Sequence, residues 1–554
     1  MSMRATGWRL VVLAAAFPLS SLLAAEVVIV QDGRPVKATG QDSGWRTVDG
    51  WLEAKGKEAK LKAGVGLGPG DFEIRARMEI RQLRKSACAF LIRDSYFGFE
   101  GGHGKVFLTG PVFGDAYGTP IGDPKEFLND GVPFDFSVVR AGTKLRIAID
   151  GKMVWQQEVG SDPLGSFGFL PWRATMRIRN CVVKGNVAER FLKWKPPVRT
   201  IEERGMRKIV LLPPGPENPR NSEGDFIQLR DGRVLFVYTH FTGGRSDHAK
   251  AYLAGRFSSD GGATWTDEDT VILPNEGDWN IMSVSILRLQ DGRIALFYMR
   301  KNSLDDCRPL VRFSTDEAKT WSEPNEVIPD SDMGYYVLNN DRAVQLKGGR
   351  LILPVALHNR PGWKDPDWAG EIACFLSDDA GQTWRCSKTR QKAYSPDKKR
   401  VVAQEPGVVE LKDGRVMMFI RTNAGVQYLS FSADGGDSWS PMVPSSISSP
   451  QSPASIERIP STGDLLLVWN NHADVPKERA GLRTPYNAAI SRDEGKTWQN
   501  VHTIEDDPDG WYCYTAVEIV GDHVLLGHCS GKRNQALATT QITQFPVKWL
   551  YEAE

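Results

Sequence analysis

The sequence predicts an all-β protein, and three observations carry that prediction. Two short motifs recur in alternation through the second half of the chain. Residues of the first half alternate between apolar and polar, broken by turns. Glycine and tryptophan are abundant, at 54 and 17 of 554 residues, as expected for strands joined by many turns.

The first motif is the octapeptide Ser-x-Asp-x-Gly-x-Thr-Trp, with five copies beginning at Ser258, Ser314, Ser377, Ser432 and Ser491. Ala318 takes the glycine position in the second copy, and Ser438 the threonine position in the fourth. The pattern describes a hairpin turn. Asp bonds the backbone ahead of it, Gly adopts a positive φ, and Trp packs back on the strands. Such a turn serves folding rather than chemistry.

The second motif is a turn followed by an apolar strand, from LRDGRVLFVY to VGDHVLLGH. Its turn glycines are Gly232, Gly292, Gly349, Gly414, Gly463 and Gly521. The six copies lie roughly 50–65 residues apart, a spacing typical of repeat architectures. Each unit then holds two hairpins, or four strands. Six such units make a six-bladed β-propeller over residues 205–554. The last unit lacks the octapeptide, and Arg207–Leu212 is expected to complete it with a strand from the start of the domain.

Residues 26–190 read as an antiparallel β-sandwich (jelly roll), from segments such as FEIRARMEI, FDFSVVR and TMRIRNCVVKG. Their order is similar to the laminin-G/concanavalin-like domains attached to many glycosidases. That resemblance implies a carbohydrate-binding role or a structural spacer. Residues 191–204, rich in proline and charge, read as a linker.

Residues 1–25 have the organisation of a signal peptide. Arg4 and Arg9 precede the apolar run LVVLAAAFPLSSLL, and Ala24 and Ala25 suit cleavage. The expectation is export, to the periplasm or the extracellular space, with no membrane insertion of the mature form. Lys and Arg total 69 against 68 Asp and Glu, so there is no basic excess of the kind a nucleic-acid partner would need. The seven cysteines form no CxxC or Cys/His cluster, which leaves a zinc site unsupported. Their odd number leaves at least one unpaired within a monomer, and the sequence does not show which, if any, form disulfides. Oligomeric state is not readable.

The octapeptides resemble the Asp-boxes of the sialidase (neuraminidase) superfamily, over about residues 200–554. Together with the export expected from residues 1–25, the resemblance implies an exo-acting, retaining glycoside hydrolase that needs no cofactor. Its substrate would be a sialylated glycan or glycoprotein, or one bearing a related 2-keto-3-deoxy sugar acid. The reacting carbon of such a sugar carries a carboxylate. An arginine clamp suits it, because the guanidinium pairs with a carboxylate bidentately. A carboxylate nucleophile would be repelled, and sialidases use tyrosine instead. Tyrosine, with a pKa of about 10, needs a neighbouring base.

Carried over position by position, the resemblance assigns the acid/base to Asp247, eleven residues before Ser258, with His248 beside it as a substrate-orienting or alternative acid residue. Glu405, in AQEPGVVEL, matches the base. Tyr514 matches the nucleophile. Tyr512 is the alternative nucleophile, or else a wall of the pocket. Arg421 and Arg483 match two arginines of the clamp. The family's Arg-Ile-Pro run is absent, so the remaining arginine is Arg220, or Arg342 acting from another blade. Gln451 is a candidate for bonding substrate hydroxyls or the N-acyl group. The segment 300–308 (RKNSLDDCR) is a candidate pocket lining. Two other functions fit the same pattern: a polysaccharide lyase on a similar propeller, and a non-catalytic glycan-binding propeller.

Overall fold

The computed structural model describes residues 26–552 apart from 40–43, 57–58, 84–85, 102–103, 115, 193–198 and 216–217. The expected signal peptide lies outside the described residues. Among those described there is no α-helix, only strands and short 3-10 turns, and the chain divides into two compact units at Pro196/Pro197.

The first unit is the β-sandwich. One sheet has nine strands and the other seven, all paired antiparallel. The long strand Gly66–Arg81 shows why the period-two pattern is legible: Phe72, Ile74, Ala76, Met78 and Ile80 are buried, while Glu73, Arg75 and Arg77 between them are more open. Phe90, Phe97, Phe99, Phe136, Phe167 and Phe169 fill the space between the sheets. Their rings meet at centroid distances of 5.0–6.4 Å, mostly tilted or edge-on.

The second unit is the six-bladed propeller. Blade 1 runs through Arg220–Gln228, Val234–Phe241, Ala251–Ser258 and Thr270–Leu273. Blade 2 begins at Asn280, blade 3 near Tyr335, blade 4 at Ala403, blade 5 at Ser455 and blade 6 at Gly510. Blades 2 and 3 are joined into one sheet where Cys307 pairs with Tyr335. In blade 6 the strand Met206–Leu212 pairs with Thr540–Pro546, so the start of the domain closes its end, as the sequence predicts. The linker ends earlier than expected. Arg199–Glu203 is a fifth strand of blade 6, because its backbone finds a partner in Met206–Leu212 across a Gly205 turn.

Each octapeptide forms the turn between the third and fourth strands of its blade. In the first, Ser258 Oγ donates to Asp260 Oδ1 (2.8 Å) and accepts from the Gly262 N–H (2.8 Å). Asp260 also accepts from the backbone and hydroxyl of Thr264, and Trp265 Nε1 donates to the Gly262 carbonyl. Two successive residues have positive φ here. Glu317 and Ala318, at 62° and 61°, hold that conformation without glycine because the Asp316 bonds fix the turn around them. Glu317 and Glu494 also bind the neighbouring blade, each accepting from the backbone N–H of its turn, at Arg230 and Lys412.

Candidate active site

The site lies where the first strands of the blades converge. Four of these strands carry the same irregularity, a bulge of one extra residue against the second strand: Ser222/Asp225, Met282/Ser285, Gln404/Gly407 and Cys513/Ala516. At each bulge one residue has positive φ: Glu223 (54°), Ser283 (60°), Glu405 (49°) and Tyr514 (58°). A non-glycine residue held there costs about 1–3 kcal/mol and marks sites where strain serves a purpose. All four of these side chains line one pocket, with Asp247, Lys301, Tyr335, His358, Trp368 and Gln404 among its other walls.

Two charged clusters contribute to the walls of this pocket. In the first, Tyr514 donates its hydroxyl proton to Glu405 Oε1 at 3.1 Å. Glu405 Oε2 pairs with Arg421 Nη1 at 2.6 Å. The Arg483 guanidinium lies 5.3 Å from the Tyr514 ring centre and 4.9 Å from that of Trp511. Burial alone would raise the Glu405 pKa. The charges of Arg421 and Arg483, with hydrogen bonds from Arg421 and Tyr514, outweigh burial and hold it below the usual carboxylate range. Burial, and then the Glu405 charge, push the Tyr514 phenol well up, against the opposing pull of Arg483 and Arg421. At rest, then, Tyr514 is neutral and Glu405 is ionised.

In the second cluster Arg220 bridges two carboxyl groups. Nη2 reaches Glu223 Oε1 at 3.1 Å, and Nη1 reaches Asp247 Oδ1 at 2.5 Å. Burial raises Glu223, with Arg220 opposing. At Asp247 burial acts in the same direction but loses to the charge and hydrogen bond of Arg220, so its pKa is lowered. Asp247 sits on a loop, yet its backbone is clamped: its carbonyl accepts from Asn280 Nδ2 (2.9 Å) and Lys301 Nζ (3.1 Å) of blade 2. Its side chain remains 59% exposed, open to a ligand.

The structure therefore brings together Asp247, Glu405, Tyr514, Arg220, Arg421 and Arg483. His248 is at the rim, its ring 4.4 Å from that of Trp279, and burial followed by the nearby Lys301 charge lowers its pKa. Gln451 is exposed and reaches the pocket only through Gln404, at 3.5 Å. Two assignments are corrected. Arg342 is buried away from the pocket wall. Its guanidinium donates to the carbonyls of Ala454 (2.8 Å) and Asp341 (2.9 Å), tying blade 3 to blade 5 rather than awaiting an anion. Tyr512, two residues before Tyr514, would share its face in a regular strand; the bulge between Cys513 and Ala516 re-aims Tyr514 to the pocket, while Tyr512 stays in the core, stacked on Tyr486 at 5.9 Å.

Several lining residues escape sequence reasoning. Within the candidate lining segment 300–308, Asp306 and Arg308 pair with each other (2.7 Å) and Asp305 bonds Asn359. The pocket takes Lys301 and Cys307 from that segment. Glu223 was findable: it stands ten residues before its turn glycine's neighbour Arg233, as Glu405 does before Arg415. Trp368 and Tyr335, edge-on at 5.8 Å, come from a turn of blade 3 and from its opening strand, neither of which carries a motif.

The family described as BNR repeat-like domain matches residues 241–526. The anhydrosialidase of Macrobdella decora is 24% identical over 262 residues, which span 44% of this chain and 30% of that protein. Among solved structures, the leech intramolecular trans-sialidase complexed with 2,7-anhydro-Neu5Ac aligns over 88% of this chain and 95% of its own, at 14% identity and a TM-score of 0.50. The NanB sialidase of Streptococcus pneumoniae aligns over 87% and 96%, at 14% identity and a TM-score of 0.51. These structures share the fold. With its family match over half of its length, its Asp-box turns and its six blades, the chain belongs to the BNR repeat-like domain family of the sialidase superfamily.

Proposed function

We propose that the protein is an exported, retaining, exo-acting glycoside hydrolase that removes terminal sialic acid, or a related 2-keto-3-deoxy sugar acid, from glycans or glycoproteins. The observation that carries this reading is the chain Tyr514–Glu405–Arg421, a half-buried phenol hydrogen-bonded to an ionised carboxylate that an arginine holds in place.

The resting charges suggest how the substrate starts the reaction. Its carboxylate would bind among Arg220, Arg421 and Arg483. Once there, it competes for the positive charge that keeps Asp247 and Glu405 weakly basic. Both groups then gain affinity for a proton. Asp247 takes one up and delivers it to the leaving oxygen. Tyr514 attacks the anomeric carbon as Glu405 accepts its phenolic proton. Asp247, now ionised, draws a proton from water in the second step. The water oxygen replaces Tyr514 at the sugar, and Glu405 returns the proton to the phenolate. Two inversions give net retention.

The test is release of 4-methylumbelliferone from its α-N-acetylneuraminide by wild type, Tyr514→Phe and Asp247→Ala. Wild-type turnover and at least a hundredfold loss in Tyr514→Phe are expected. No wild-type turnover on this or on deaminated and uronic analogues would favour a glycan-binding propeller. A second reading, intramolecular transfer, is favoured by the match to an anhydrosialidase. NMR of the released sugar separates the two, as free sialic acid or its anhydro form.

A further inference from the structure

Cys513 and Cys529 stand directly opposite each other on the antiparallel strands Gly510–Val520 and His523–Lys532. Residues so paired have Cα atoms about 4.5–5.5 Å apart, and disulfides span about 4.4–6.8 Å. The two thiols touch: Cys529 hydrogen-bonds the Cys513 sulfur, which also meets the Arg483 guanidinium. No other cysteines are directly opposed in the described strand registers. Cys374 and Cys386, also on adjacent strands, are out of register, with Cys386 opposite Phe375.

We infer that Cys513 and Cys529 form a cross-strand disulfide when the protein folds under oxidising conditions. The reaction is thiol–disulfide exchange with an external disulfide, whether a small molecule or a protein. The Cys513 thiolate attacks one sulfur of that disulfide and expels the other as a thiol. Cys529 then displaces the remaining half. Two S–H bonds are lost and one S–S bond forms, while the external S–S bond breaks and its two sulfurs take up the two electrons and the two protons to become two thiols.

In the folded protein burial would raise the Cys513 pKa, but the Cys529 hydrogen bond and Arg483 prevail and lower it. Both residues are only 1% exposed in the folded state, so the exchange belongs to folding, before the blade is covered. Once formed, the bond would be shielded from reductant. It would lock the hairpin that carries Tyr514. It would also remove the one sulfur able to carry negative charge against Arg483, leaving that cation to Glu405 and the pocket.

The readout is covalent and does not depend on the enzymatic reading. The full chain is refolded from denaturant in a buffer of reduced and oxidised glutathione, with a parallel sample in excess reductant. Both are unfolded, alkylated with iodoacetamide, digested without reduction and mapped by mass spectrometry. The expected result is a Cys513–Cys529 linked peptide in the glutathione sample, about two mass units below the sum of its parts, with the other five cysteines alkylated. The reductant sample should show all seven alkylated. Seven alkylated cysteines in both samples, or a link from Cys513 to any other residue, would overturn the inference.

Discussion

In the turn between the third and fourth strands, Ser, Asp and Thr or Ser recur five times and make nearly the same hydrogen bonds each time. In the bulge of the first strand the backbone recurs while the side chain changes, from Glu223 to Ser283 to Glu405 to Tyr514. The difference separates folding from chemistry. A turn that must close five times keeps its bonding residues. A bulge that re-aims a side chain toward the pocket can present a different group from each blade, and a composite site needs several kinds of group. The strain of four positive-φ residues is held by inner strands buried along most of their length.

The sharpest way to break this comparison is to substitute a bulge residue. Glu405→Gln keeps the shape but removes the charge that Arg421 faces at 2.6 Å. Losing one partner of a buried ion pair costs about 3–5 kcal/mol. The urea midpoint should fall, and kcat/KM should drop by about a hundredfold or more, since the base is gone. Unchanged turnover would remove Glu405 from the mechanism. At the other cluster, Arg220→Lys retains the charge but loses the fork that reaches both Glu223 and Asp247. A smaller loss, about tenfold to a hundredfold in kcat/KM and chiefly through KM, is expected.

The pH profile sharpens the comparison within the site. Asp247 must carry a proton to act as an acid, yet Arg220 lowers its pKa in the free protein. Glu405 must be free of one, and its pKa is also lowered. Between pH 5 and 8 Glu405 is therefore already ionised, while the protonated fraction of Asp247 shrinks as pH rises. The expectation is that kcat/KM falls steadily over that range, by up to about tenfold per unit. The limb in kcat should lie at higher pH, because in the complex the substrate carboxylate competes for Arg220. A flat kcat/KM, or an Asp247→Asn variant with the same profile and rate, would remove Asp247 as the acid.

Much of this was legible in the sequence for definite physical reasons. The blades are legible because each repeats a turn whose residues are fixed by hydrogen bonding. The closure of blade 6 is legible because a repeat lacking its octapeptide must find its last strand elsewhere. Tyr514, Glu405 and Arg421 sit in repeats, and family spacing reaches them. Arg342 was misplaced because a buried arginine satisfied by carbonyl groups has the same sequence appearance as one that faces a ligand. Tyr335 and Trp368 lie outside the motifs, at positions whose only common property is convergence in space, whereas the segment 300–308, legible as a candidate lining, supplies Lys301 and Cys307.

The smallest effect is expected at the turns. Asp379 in the third octapeptide accepts from the Ser377 hydroxyl (2.8 Å) and from the backbone and hydroxyl of Thr383 (2.9 and 2.6 Å). The Thr383 bonds come first among the causes that hold its pKa down at about 2. Asp379→Ala removes these bonds from an exposed turn, where water replaces much of what is lost. The unfolding temperature should fall by about 1–4 °C, and kcat/KM should remain within twofold of wild type. The turn lies at the outer part of blade 3, where the chain bonds Asn325 and Arg293 through the carbonyls of Gly381 and Ala380, and no pocket residue comes from it. A large loss of turnover at unchanged stability would show that the turns take part in the chemistry, and the division between the two kinds of repeat would then fail.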